Sequence, residues 1–402
     1  MKFKSILLAG AILLLLAACD GANEAEISEQ MDDASLENEV SNVQIEEQDE
    51  TVTSSSEEFY RSVVPYELSP ARGLSSANLV SSYNVEEFEK GLFTISQSVF
   101  PTNEYIFREG QIISEEMVRG YLSRQYTSEE LENMDETELL NSDAFSNLGL
   151  NPSTNGETDP EVIAEEAPLY LSHILEQNYM AEGEDGNLSF DGITIGLAMN
   201  SVHYYQTEEY GQTQERALDP ATVKEKGEEM AAEILTRIRA NDQYVDKEIV
   251  FAIFIQSGDT DIVPGNFVSQ AVVAPGENTI ESFTDMNVQN LLLPSGEAAE
   301  ISQEANSEYQ NFNRDLSSYF DSFTTSVGRG KFIDGTLDTL TVEIPIEYNS
   351  RGEMIGMSQF VRDLVNEHFT GTDIEVEIKD KAQVYSVITR EGEGEANLYI
   401  FE

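Results

Sequence analysis

The chain is poor in cysteine, histidine, tryptophan and positive charge: one Cys, three His, no Trp and 22 Lys plus Arg in 402 residues. A single thiol has no partner for an intrachain disulfide and no second ligand for a zinc cluster. The histidines, His173, His203 and His368, form no HxxxH or HExxH spacing, so no metal site and no cofactor is expected. GxSxG, GxxxxGK[ST] and GxGxxG in a strand-turn-helix setting are missing too. Against the few cations stand 76 Asp plus Glu, for a net charge of -54. Such a surface argues against nucleic acid as a partner, because the phosphate backbone needs a basic footprint. It argues equally against electrostatic adsorption to anionic lipids.

The one cysteine stands where a lipid is attached. Lys2 and Lys4 precede an apolar core over residues 6–16, and Leu16-Ala17-Ala18-Cys19 is a lipobox. Residues 1–18 therefore read as a lipoprotein signal peptide, shorter than the ~20 residues of a spanning helix. Small Ala17 and Ala18 admit a peptidase to the bond before Cys19, and the thiol takes a diacylglycerol. Each buried CH₂ contributes ~0.8 kcal/mol, so two acyl chains hold a protein on a membrane where one is marginal. The reading places the mature chain on the extracytoplasmic face of the cell membrane. The implied partners are the bilayer through acylated Cys19, lipoprotein diacylglyceryl transferase and signal peptidase II. Residues 19–58, acidic and free of Lys and Arg, read as a disordered tether.

Folded sequence is expected from about Tyr60. Residues 83–99 carry a helical stripe; 105–107 and 111–113 flank Arg108-Glu109-Gly110 as a hairpin. Ser114 caps a helix through Tyr121, and residues 127–140 read as an acidic helix. After a loop, Asp159-Pro160 starts a helix running toward Tyr179 with a kink near Pro168. Ile193, Ile195, Leu197 and Met199 alternate as a strand; Asp219-Pro220 starts a helix; residues 249–255 form a strand covered on both faces. Helix 309–323, strand 340–346, helix 360–368 and strands 374–378 and 384–388 follow. Pro345 suggests an edge or a bulge. The fold class expected is α+β, with two related helix-strand-helix-strand-strand units after a mostly helical N-terminal segment. In the second unit Leu340-Thr341-Val342-Glu343-Ile344 overlays Ile193-Thr194-Ile195-Gly196-Leu197 of the first. The divisions are 59–155, 156–298 and 299–402.

No catalytic residue is assigned. With 76 carboxylates, close acidic pairs arise by number alone. Gly183-Glu184-Asp185-Gly186-Asn187 and Gly258-Asp259-Thr260-Asp261 offer oxygen ligands for calcium without following an EF-hand loop, and polar turns are the better reading. The aromatic stripe at 309–323 reads as helical core rather than a ligand groove.

Several tracts carry a resemblance. Tyr60-Arg61, Tyr66, Ala71-Arg72-Gly73-Leu74, Ser82-Tyr83-Asn84, Phe100-Pro101-Thr102, Asn147-Leu148-Gly149-Leu150-Asn151-Pro152, Gly156-Glu157-Thr158-Asp159-Pro160 and Thr194-Ile195-Gly196-Leu197-Ala198-Met199-Asn200 resemble, in that order, those of CamS-type lipoproteins. The likeness runs from about Tyr60 to the end and includes the lipobox. It implies a sex pheromone precursor of Gram-positive bacteria. In that family signal peptidase II cuts before the lipidated Cys, and a second protease trims the leader to a short apolar mating peptide caught by a receptor. The candidate peptide is Ile12-Leu13-Leu14-Leu15-Leu16-Ala17-Ala18, with Ala11 as an alternative first residue. Here Ala11-Ile12 lies one residue further from the Cys than in the family's peptide. The resemblance gives no role for the folded part, and the 147–159 tract reads either as a partner-binding loop or as turns of demanding geometry. The leading function is a membrane-anchored pheromone precursor with a non-catalytic binding domain. The alternatives are a solute-binding lipoprotein and a carboxylate-dependent cell-envelope enzyme; the latter calls for a pocket lined by close carboxylates with a raised pKa.

Overall fold

A computed structural model describes residues 51–53, 59–71, 79–135, 147–319, 325–347 and 350–401. The signal peptide, lipobox, Cys19 and most of the expected tether lie outside them. Among the described residues no helix is long and apolar enough to cross a membrane.

Two large sheets organise the described chain. The first is built from β1 (Thr51–Val52), β2 (Arg61–Val64), β3 (Tyr105–Glu109), β4 (Leu171–Glu182), β5 (Leu188–Asn200), β8 (Glu248–Gln256), β9 (Asn266–Val273) and β10 (Thr284–Asp285), adjacent in that order. The second contains β11 (Val288–Leu293), β12 (Val327–Ile333), β13 (Thr336–Pro345), β14 (Asp373–Lys379), β15 (Val384–Arg390) and β16 (Asn397–Ile400). A separate hairpin pairs β6 (Val202–Gln206) with β7 (Thr213–Ala217). Among the described residues eight helices connect the strands: α1 (Ser82–Gln97), α2 (Glu115–Leu122), α3 (Ser128–Asn133), α4 (Pro160–Glu166), α5 (Pro220–Arg239), α6 (Gly296–Ile301), α7 (Gln303–Tyr319) and α8 (Arg351–His368).

The six strands β3-β4-β5-β8-β9-β10 and the six strands β11 to β16 share one topology. In each set only the third and fourth strands are parallel, and all other neighbours are antiparallel. A parallel pair needs a crossover, and α5 and α8 supply it. Ile193 pairs with Ile249 and Leu340 with Ile374, each the second pair of its parallel ladder, so 193–197 and 340–344 take equivalent register positions in their two sheets. The repeating unit differs from the expected one: each copy begins its core with an antiparallel hairpin, β4-β5 or β12-β13, rather than with one strand.

Other boundaries change with it. Val52 pairs with Val63, so the sheet begins inside the stretch expected to be tether. Segment 59–155 is not separate, since β2 and β3 belong to the first sheet. Strand β11 enters the second sheet, moving the division from 298 to the link between Asp285 and Val288. The expected hairpin at 105–113 is a single strand, because the backbone N–H groups of Gln111, Ile112 and Ile113 turn to β4 side chains. The expected helix to Tyr179 ends at Glu166; β4 follows, with His173 on a strand. The acidic helix ends at Asn133. Pro345 closes β13, an interior strand: pairing with β12 stops at Glu343, and the N–H of Ile346 takes up the bond to Lys379.

The first sheet is covered on both faces, as the continuous apolar run of β8 requires. On one side Phe88 and Leu92 of α1 meet Phe254 and Phe267. On the other Ile234 and Leu235 of α5 join Ile195 and Ile253. Each fully buried side chain of this size contributes about 1.5–3 kcal/mol. The second sheet buries one face, where Leu340, Val342 and Val376 pack on Tyr309, Phe312 and Val361. Its other face carries an ion-pair ladder, Arg329–Glu343 at 2.9 Å and Lys379–Glu343 at 2.7 Å, and reaches α1 through Lys331–Glu87 at 2.7 Å.

Candidate functional site

The 147–152 tract leaves a turn at Asn147, bridges Arg124 through Asn151 and demands particular residues. Asn147 adopts φ +42°, a left-handed conformation that Asn tolerates better than most residues. Its side-chain oxygen accepts the N–H of Tyr126 at 2.8 Å and its amide donates to the Tyr126 carbonyl at 2.9 Å. Gly149 lies so close to the backbone of Arg124 that a Cβ would overlap it. Asn151, fully buried, donates to the carbonyls of Leu122 (2.8 Å) and Leu171 (3.1 Å) and accepts the N–H groups of Tyr170 and Leu171, both at 2.8 Å. Arg124 donates to the carbonyls of Pro152 and Ala167, and burial lowers its pKa. We expect Gly149→Ala to destabilise the fold by about 2–4 kcal/mol by backbone overlap; an unchanged urea midpoint would contradict the close approach.

Between this tract and α5 lies a cavity of about 440 Å³. Leu150, Pro152 and Met230 supply its apolar lining, beside the polar and charged side chains of Gln125, Asn147, Lys226, Glu229, Glu233 and Arg237. Along α5 Lys226 pairs with Glu229 at 2.6 Å and Arg237 with Glu233 at 2.9 Å. Arg237 also donates to the Leu148 carbonyl at 2.7 Å and lies 4.9 Å from the centre of the Tyr121 ring. The walls are therefore pinned by the fold and carry both signs of charge.

A buried carboxylate stands elsewhere, on β4. Glu176, 6% exposed, accepts the N–H groups of Ile112 (3.1 Å) and Ile113 (2.7 Å) and the amide of Asn178 (2.6 Å). Burial pushes its pKa up, and these donors pull it partway back. Gly110 leaves room for the Glu176 side chain and backbone. The adjoining cavities measure about 10 and 40 Å³, the second also lined by Glu89 and Glu109. Cavities of this size have room for water but not for a substrate. Sequence reasoning misses Glu176; its only sign there is an acidic residue within the mixed Leu171–Glu182 segment. Replacing Glu176 by Gln is expected to cost about 2 kcal/mol in a urea titration, since one of its two acceptor oxygens becomes an NH₂ group set against an N–H donor.

The remaining candidates fall apart. His173 is buried, with Nδ1 unpartnered among the described residues, His203 accepts the Leu169 N–H, and His368 meets Asp315 at 2.9 Å. In the 183–187 loop Asp185 is satisfied by Asn187, and in the 258–261 loop Asp261 accepts the Gly258 N–H; both are polar turns. Among the described residues no cluster of His, Cys, Asp and Glu is able to hold a metal ion. Tyr309, Phe312 and Leu316 are core. The expected lipidation residue Cys19, the lipobox Leu16, Ala17 and Ala18, and the peptide 12–18 lie outside the described residues.

Fold and tracts together define an α+β protein of the sex pheromone precursor class. The profile of the CamS sex pheromone cAM373 precursor family matches residues 66–396, and the chain belongs to this family. It is similar to the C-terminal domain of the sex pheromone staph-cAM373 precursor from Staphylococcus aureus, at 38% identity and a TM-score of 0.71, over 81% of this chain and 98% of that one. It is also similar to a sex pheromone precursor from Lactobacillus salivarius subsp. salivarius UCC118, at 27% identity and a TM-score of 0.76, over 88% and 99% of the two chains. No curated protein matches it.

Proposed function

We propose that the chain is a lipid-anchored extracytoplasmic precursor whose cleaved leader supplies a short apolar mating peptide, and whose mature part is a non-catalytic binding domain. The observation that carries this reading is Leu16-Ala17-Ala18-Cys19, set behind two lysines and an apolar core in a chain of this family. Lipoprotein diacylglyceryl transferase acylates Cys19, signal peptidase II cuts before it, and the fragment 12–18 leaves for a peptide receptor. The non-catalytic assignment is supported by Glu176, whose oxygens are taken up by Ile112, Ile113 and Asn178.

The test is mass spectrometry of peptides in the medium, with a mating-clumping assay of the synthetic 12–18 peptide. The fragment is expected in the medium and is expected to elicit clumping; its absence together with an inert synthetic peptide would remove the pheromone role. Replacing Cys19 by Ser removes the thiol that takes the lipid. The variant is expected to stay uncleaved and to release no fragment. Normal processing of C19S would contradict the lipoprotein route.

A further inference from the structure

We propose that the cavity between the 147–152 tract and α5 binds the carboxyl-terminal end of a short apolar peptide, with Lys226 pairing with its carboxylate and the leader fragment ending Leu16-Ala17-Ala18 as the occupant. The identity of the occupant rests on the preceding proposal.

Four observations converge on this cavity. Its volume, about 440 Å³, falls within the range of small-ligand sites. One wall is rigid before any ligand arrives, because Asn147 and Asn151 lock the tract to Tyr126, Leu122 and Leu171; a preformed wall lowers the entropic cost of binding. The other wall is a stripe of α5 residues, 226, 229, 230, 233 and 237, spaced to share one helix face. It rises ~16 Å at 1.5 Å per residue, enough for an extended segment of about four or five residues. The cations on the stripe differ in what they have left to give. Arg237 is engaged by Glu233, the Leu148 carbonyl and the Tyr121 ring. Among the described residues Lys226 has one ion-pair partner, Glu229, and its side chain is 39% exposed, so its ammonium retains donors for a second carboxylate.

The class of ligand follows from that arrangement. Met230, Leu150 and Pro152 suit small apolar side chains, and a chain of net charge -54 repels acidic peptides. An uncharged body ending in one carboxylate satisfies both conditions. Residues 12–18 carry no charged side chain, and cleavage before Cys19 leaves a free carboxylate on Ala18. A larger cavity, about 510 Å³, lies beside Arg390. There the one lining cation, Arg390, is directed to the carbonyls of Val365 and Thr372 and faces Glu393 and Glu395, whereas the first cavity sets two cations, Lys226 and Arg237, against Glu229 and Glu233.

The experiment is fluorescence anisotropy of Leu-Ala-Ala, labelled at its amino end, titrated with the full chain in detergent micelles. Saturable binding is expected below about 1 mM, at least about tenfold weaker for the carboxyl-amidated peptide. K226A is expected to weaken binding about as much as amidation while leaving the urea midpoint unchanged. Equal binding of the amidated peptide, full affinity in K226A, or no saturation each overturns the site. Binding without any leader fragment in the medium instead removes the occupant and the pheromone reading, and leaves the cavity as a peptide site.

Discussion

Replacing Asn151 by Leu is expected to destabilise the protein by about 4–6 kcal/mol, enough to exhaust much of the ~5–15 kcal/mol that holds a typical domain together. The side chain ties the tract to two other segments, satisfying one carbonyl at the end of α2 and one carbonyl and two N–H groups at the start of β4. Leucine leaves all four without that partner in a site closed to water, and each unsatisfied buried group costs about 1–3 kcal/mol. The Asn151→Asp variant is the sharper comparison. Its carboxylate keeps the acceptor for Tyr170 and Leu171 but aims a second oxygen at the carbonyls of Leu122 and Leu171. N151D should therefore lose nearly as much as N151L when measured by urea unfolding at neutral pH. A loss below about 1 kcal/mol in both variants would mean that the tract is not held in this way.

Acid is expected to weaken the fold through His173. The ring is 1% exposed, Nδ1 has no partner among the described residues, and burial lowers its pKa from 6.5 to about 4. The depressed group is a base, so between these values the unfolded chain holds a proton that the folded chain refuses. Stability is fully present above about pH 6.5, falls as pH drops toward about 4, and loses about 3 kcal/mol from this residue over the window. Glu176 acts with the opposite sign. Its carboxyl is pushed upward, so its contribution is present at low pH and lost as pH rises through the folded value. Comparing wild type with H173L isolates the histidine, because Glu176 is common to both. Between pH 7 and 4.5 the wild type should lose stability relative to H173L, which lacks the titrating ring. Parallel curves for the two proteins would show that His173 does not titrate as its burial requires.

Much of the first sheet was legible in the amino-acid order. Strand β5 alternates through Ile193, Ile195, Leu197 and Met199; β8 is continuously apolar because helices cover both its faces; and Asp219-Pro220 opens α5 by capping and a fixed φ. Strand β4 was not legible. Its Leu171, Ile174 and Leu175 mimic a helical stripe, and its buried Glu176 and Asn178 are satisfied by residues over 60 positions away in the chain. Strand β12 hides differently. Its core-facing positions include Gly328 and Gly330, whose space is taken by Tyr309 and by Leu337 and Leu293, so alternation leaves no apolar residue there to read. The 147–152 tract announced itself through Asn, Gly and Pro, but the cavity behind it depends on α5, some 80 residues later. Glu176 looked like one carboxylate among many until the N–H groups around it were located.

The most direct test of the lipid-anchored precursor is intact-mass and N-terminal peptide analysis of the mature protein from membranes. The account predicts a first residue of Cys19 bearing a diacylglyceryl thioether, with residues 1–18 gone. A chain intact from Met1, or one beginning elsewhere with a free Cys19 thiol, would contradict it.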